Sequence, residues 1–124
     1  MNYINGNLLD IPEGILVHQV NTLGVMGAGI ALQIKKKWPQ VYSEYKDKCL
    51  EGIELGDVIL CEIYPKLVIG NLAGQEKLGP GSTVYDSYYK GLPIIKRFSE
   101  LKELPIYFPY KIGVRLSRRR LEYC

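Results

Sequence analysis

The chain is short of the residues that staple or metallate small proteins. Its three cysteines, Cys49, Cys61 and Cys124, are odd in number and widely spaced, with no CxxC pair. Neither a disulfide framework nor a zinc site is expected, and no metal or cofactor is implied. His18 is the one histidine. No apolar run approaches the ~20 residues that span a bilayer, and Met1 is not followed by the basic and apolar regions of a signal peptide, so a cytoplasmic chain without a membrane partner is expected. A net charge of +3 does not argue for nucleic acid, particularly as Arg115, Arg118, Arg119 and Arg120 crowd near the C-terminus. What is present is an apolar fraction of 47% in 124 residues, which predicts one soluble globular domain with a single core.

The densest signal is Asn21-Thr-Leu-Gly-Val-Met-Gly-Ala-Gly-Ile-Ala31, placed after the apolar run Ile15 to Val20 and before a helical pattern. It reads as strand, glycine loop, helix. Gly24, Gly27 and Gly29 let the backbone turn tightly and bring its N–H groups close to a ligand, and the following helix start attracts phosphate. A P-loop is excluded, because Gly29 is followed by Ile30 and Ala31 instead of lysine and a hydroxyl residue. A dinucleotide fingerprint fits poorly, since Leu32 stands where a third small residue belongs. Spacing alone leaves two readings, an anion site or glycines that only permit a close turn and helix packing. His18 is open in the same way, as a hydrogen-bonded structural residue or an acid–base group, and Asn21 as a turn cap or a ligand contact.

Val17 to Ala31, followed by Lys35-Lys-Lys-Trp-Pro39, resembles the macro domain family. The similarity is closest to its compact branch, which includes ADP-ribose-1''-phosphate phosphatases and enzymes that remove ADP-ribose from glutamate esters. It runs from Asn5-Gly-Asn-Leu-Leu9 through Gly56-Asp-Val58 and Gly70-Asn-Leu-Ala-Gly-Gln75 to Tyr110-Lys-Ile-Gly113. The resemblance implies a three-layer α/β domain, with helices on both faces of a mixed sheet and ADP-ribose bound at the C-terminal ends of the central strands. It implies that Gly27, Ala28, Gly29, Ile30 and Ala31 fix the diphosphate, with Val25 and Met26 before them. Asn7, which stands where the family usually has aspartate, would accept a bond from adenine; the alternative is a turn asparagine that satisfies local backbone. Leu8, Ala73, Lys111, Ile112 and Gly113 are further implied contacts.

Asn21 is implied to face the distal ribose and to position substrate or water, with His18 as a possible acid or base. The favoured chemistry is phosphate removal from ADP-ribose 1''-phosphate. Glutamate-ester hydrolases of this branch carry a nucleophilic lysine near the positions of Gly74 and Gln75; Lys77 is out of register, which favours water attack. Alternatives are release of ADP-ribose from modified protein or nucleic acid, and a reader or inert remnant that turns nothing over.

Elsewhere, Met1 to Asn5 suits an outer strand. Ile30, Ala31, Ile34 and Trp38 fall at helical spacing, with Lys35 to Lys37 in the last turn, and Pro39 starts a second helix with Val41, Tyr45 and Cys49 as its apolar stripe and Glu44–Lys48 as an i,i+4 pair. Residues 58–63 and 67–70 predict a hairpin around Pro65, and 71–81 a loop. Gly91 and Pro93 predict two short helices between Ser82 and Leu104, followed by a strand at Ile106 to Phe108.

In the family the segment after Gly113 is a second phosphate loop, usually Gly-Cys-Gly-Leu-Ala-Gly-Gly-Asp-Trp. Here it reads Gly113-Val-Arg-Leu-Ser-Arg-Arg-Arg-Leu-Glu-Tyr-Cys124. With permitted codons for residues 113–122, loss of one G from the opening run restores the usual loop. The expectation is a macro domain over 1–113 and an out-of-frame basic tail over 114–124, lacking the final strand and helix; resequencing the locus tests it. The rival reading is a basic tail that binds phosphate or RNA.

Overall fold

The computed structural model describes residues 6–79 and 81–109. Four strands form one mixed sheet in the order β2-β3-β1-β4. They are β1 (Gly14–Asn21), β2 (Val58–Tyr64), β3 (Leu67–Gln75) and β4 (Ile106–Tyr107), with α1 (Gly29–Lys37), α2 (Pro39–Glu51) and α3 (Asp86–Lys102) between them. β1 pairs in parallel with β3 and β4, while β2 and β3 form the antiparallel hairpin expected around Pro65.

β1 and β3 lie at the centre and are apolar on both faces, as strands covered from two sides should be. Leu16, Val20, Ile69 and Ala73 face α1 and α2, where they pack with Ile34, Trp38, Val41 and Tyr45. Ile15, Val17, Val68 and Leu72 face α3, where they meet Tyr88 and Ile95. The result is the three-layer arrangement, with its two cores back to back.

α1 carries Lys35, Lys36 and Lys37 in its last turn, and Pro39 occupies the first turn of α2, where its missing N–H costs no helical bond. Three local expectations are corrected. Lys48 pairs with Glu51 at 3.5 Å instead of Glu44. β3 continues through Gln75, so the segment read as a loop from Asn71 begins as strand, because each parallel partner on β1 from His18 to Asn21 recruits it. Residues 86–102 form one helix that holds both Gly91 and Pro93. Gly91 stays helical because only a residue without Cβ fits against Leu72 and the Gly56 carbonyl. Pro93 is tolerated because the interrupted bond falls on the exposed side, where Tyr89 and Pro93 both face solvent.

Candidate functional site

β1 and β3 end side by side, Asn21 opposite Gln75, with the Thr22 N–H donating to the Gln75 carbonyl at 3.0 Å. The glycine loop starts there. Asn21 organises it: its Oδ1 accepts from the N–H groups of Leu23 at 3.0 Å and Val25 at 3.3 Å, and its Nδ2 donates to the Val25 carbonyl at 2.9 Å. Gly24 adopts φ +81°, a conformation that L side chains rarely take, and so closes the turn. Met26 is 1% exposed and drives into the core beside α1, pinning the loop from beneath.

Gly27, Ala28 and Gly29 then run across the surface, exposed, into the first turn of α1. Gly29 has φ +58°. Ala28 is the N-cap and has no side-chain acceptor, so the N–H groups of Gly29, Ile30 and Ala31 precede the first intrahelical bond, from Leu32 N–H to the Ala28 carbonyl at 3.2 Å. Helix N–H groups without a cap, next to a glycine run without side chains, present donors and positive partial charge to an anion.

From below, Tyr45 of α2 places its hydroxyl 2.6 Å from both Asn21 Oδ1 and the Asn21 carbonyl, and accepts from Gly24 N–H at 3.2 Å. Burial raises its pKa far above the ordinary phenol value, so it is a neutral donor. Tyr42 donates to the Gly24 carbonyl at 3.3 Å. The sequence offered Tyr45 only as part of an apolar stripe; the available signal was that a buried tyrosine must find a partner for its hydroxyl.

A second polar group lies on the α3 side of the same strand ends. Gln19 Nε2 donates to Gln75 Oε1 at 2.7 Å and Thr83 Oγ1 at 3.0 Å, while the Tyr88 hydroxyl donates to Gln19 Oε1 at 2.5 Å. Gly74 leaves room for it, since a Cβ there would lie 2.7 Å from Gln19 Oε1. Gln75 Nε2 donates to the Lys77 carbonyl at 2.6 Å, tying the loop after β3 to the floor of the site. Pattern reading missed this network because Gln19 is more than fifty residues from each of its partners.

Three expected site residues are buried in the core. His18 is wholly buried on the α1 and α2 face, with Nε2 2.6 Å from Asn71 Oδ1 and Nδ1 without a hydrogen-bond partner among the described residues. Desolvation lowers its pKa to about 4, against a smaller upward pull from Asn71, so it is a neutral core histidine and not an acid or base in the loop. Ala73 is wholly buried, and its N–H and carbonyl are taken by Asp57 and Gly56 at 2.9 and 2.8 Å, so it has no group to offer a ligand. The Met26 side chain is spent on the core.

Asn7 is exposed and caps the short 3-10 helix Leu8–Asp10 by accepting from Leu9 N–H at 2.9 Å. That turn is tied to the far end of α1, where Lys37 donates to the Leu9 carbonyl at 2.5 Å. Leu8 packs partly buried against the core. About 13 Å of helix separates this turn from the loop, at 1.5 Å per residue. Val25 is exposed, and Ile30 and Ala31 are half-buried. Lys111, Ile112 and Gly113, with the rest of the expected second loop, the basic tail and the expected first strand, lie outside the described residues. Among the described residues no group of histidine, cysteine, aspartate or glutamate could hold a metal ion.

A mixed sheet between two helical layers, with a glycine loop feeding a helix start at the C-terminal ends of its central parallel strands, defines a macro domain. The chain has that fold. It is similar to the DNA ADP-ribosyl glycohydrolase of Thermus aquaticus, 39% identical over 66 residues that make up 52% of this chain and 18% of the relative. It is also similar to the ADP-ribose 1''-phosphate phosphatase of Aspergillus oryzae, 43% identical over 47 residues, 37% of this chain and 23% of the relative. The matched stretch thus spans less than a quarter of either curated relative. Among solved structures, the macrodomain of Thermus aquaticus DarG superposes with a TM-score of 0.72 at 29% identity, covering 86% of this chain and 73% of that one. No family model matches the chain.

Proposed function

We propose that this chain binds ADP-ribose along the loop from Asn21 to Ala31 and hydrolyses a bond at the distal ribose. The observation that carries the reading is the exposed run Gly27 to Gly29 leading into the uncapped start of α1. Two phosphates of a diphosphate can meet main-chain N–H groups there without a Cβ in the way. Asn21 and Gln75, at the ends of the paired strands, then border the next part of the ligand.

With His18 withdrawn into the core, the chemistry rests on holding the substrate and a water in line and on the electrostatics of the loop. For ADP-ribose 1''-phosphate, water attacks phosphorus, the bond from phosphorus to the ribose oxygen breaks, and phosphate and ADP-ribose leave. The likeness to the Thermus aquaticus DNA ADP-ribosyl glycohydrolase favours a second substrate, DNA carrying ADP-ribose, where water would be added at C1'' as the bond to the base breaks. Gln75 at the end of β3 and the out-of-register Lys77 support water attack in both cases over a covalent lysine adduct.

The test begins with calorimetric titration of ADP-ribose. Saturable binding is expected, followed by turnover assays on ADP-ribose 1''-phosphate and on an oligonucleotide carrying ADP-ribose. Absence of binding by a chain shown to be folded would overturn the ligand. Binding without turnover of either substrate would leave a reader.

A further inference from the structure

Tyr45 is wholly buried in α2, yet its hydroxyl is the meeting point of the glycine loop. A phenol has one hydrogen to give and lone pairs to accept with. It gives that hydrogen to Asn21, whose Oδ1 and carbonyl each lie 2.6 Å away, and takes one from Gly24 N–H at 3.2 Å. Leu23 and Val25 N–H groups point at the same Oδ1. Two N–H groups converging on one oxygen admit a single orientation of the carboxamide, because a flip would set its NH2 group against both of them, and the Tyr45 hydroxyl lies against the same oxygen from beneath. The oxygen is turned inward and saturated. Nδ2 gives one hydrogen to the Val25 carbonyl at 2.9 Å and has a second to offer.

We infer that Tyr45 is a positioning residue of the site, which by holding the Asn21 oxygen inward makes Asn21 a hydrogen donor of fixed direction toward the bound ligand. Asn21 then recognises a ligand oxygen, a ribose hydroxyl or a phosphoryl oxygen, and does not take a proton from an attacking water. This inference rests on the proposal that ADP-ribose occupies the loop, and it adds what the loop asks of the ligand.

Tyr45→Phe removes the oxygen and keeps the ring that fills the core. In 15N-labelled protein without ligand, the side-chain amide pair of Asn21, assigned by its loss in Asn21→Ala, is expected to shift and broaden in Tyr45→Phe. Affinity for ADP-ribose is expected to fall roughly tenfold, the scale of one lost hydrogen bond. In the Asn21→Ala background Tyr45→Phe should leave affinity where it was while still lowering Tm; a merely structural tyrosine would weaken binding by the same factor in both backgrounds. Asn21→Asp keeps an inward oxygen for Tyr45 and puts an oxygen where the outward N–H stood, so it should abolish binding. Unchanged Asn21 amide signals in Tyr45→Phe, multiplying losses of affinity, or full affinity in Asn21→Asp would each overturn the assignment. If the wild-type chain does not bind ADP-ribose, that ligand falls, and the amide signals still decide whether Tyr45 orients Asn21.

Discussion

His18 and Asn71 face each other across the parallel pair of β1 and β3, Nε2 2.6 Å from Oδ1, both wholly buried. Asn71 Nδ2 donates to the Ile59 carbonyl at 2.9 Å, which fixes its oxygen as the acceptor and the His18 proton on Nε2. Among the described residues Nδ1 then has nothing to meet if it is protonated. The folded pKa of about 4 lies below the ordinary 6.5, so above pH 6.5 both folded and unfolded chains hold a neutral imidazole. As pH falls toward 4, the unfolded chain takes a proton that the folded one refuses. Stability should drop by about 1.4 kcal/mol per pH unit, on the order of 3 kcal/mol in all. His18 is the only histidine, so urea unfolding between pH 7 and 5 reads it almost alone. His18→Gln should flatten that slope; an equal slope in the variant would place the titration elsewhere.

Gly91→Ala sets two effects against each other. Alanine gains up to about 1 kcal/mol in helix propensity over glycine. Its Cβ, however, would lie 2.8 Å from Leu72 Cδ1 and 3.1 Å from the Gly56 carbonyl oxygen, and Leu72 is wholly buried. Overpacking of this kind typically costs about 1–3 kcal/mol, so the clash should win. A lowered denaturation midpoint is expected, and a raised one would mean that α3 can slide away from β3 without loss.

The sequence was legible where one residue type has one physical use. The apolar run ending at Asn21, the glycines after it and the proline that opens α2 each stood where pattern reading put them. His18 was not legible, because strand alternation at β1 does not say which of two covered faces receives it, and both faces here are core. Tyr45 was read as apolar because its ring is; the role of its hydroxyl depends on a contact twenty-four residues away. Gly91 and Pro93 were read as breaks because their helix cost is intrinsic, while the space and exposure that offset it are tertiary.

Pro93→Ala should stabilise the protein. Proline in a helix interior costs about 3 kcal/mol against alanine, while its stiffening of the unfolded chain returns only about 0.4–1 kcal/mol. Position 93 is exposed, so the new methyl group disturbs no packing. A gain of about 1–2 kcal/mol in urea unfolding is expected, less than the propensity difference because alanine frees the unfolded chain that proline stiffens. A loss would show that the proline ring or the local bend is itself packed against something that matters.

Gly27 separates the loop's shape from its use. Its φ is not in the left-handed region, and an added Cβ would meet only Val25 Cγ1 at 3.6 Å, an ordinary contact. Gly27→Ala should therefore leave stability within about 0.5 kcal/mol of the parent, as most exposed substitutions do. Gly29 is the contrast: its φ of +58° makes Gly29→Ala strained although nothing lies within 4 Å of the new atom, at roughly 1–2 kcal/mol. If ADP-ribose lies along the exposed backbone, the methyl group of Gly27→Ala stands in its path, and affinity should fall at least roughly tenfold, the equivalent of about 1.4 kcal/mol, with the midpoint of unfolding unmoved. The measurement is a calorimetric titration beside an unfolding curve for the same preparation. Parent-like affinity in Gly27→Ala would show that the ligand does not run along this loop, and would leave its glycines a matter of packing alone.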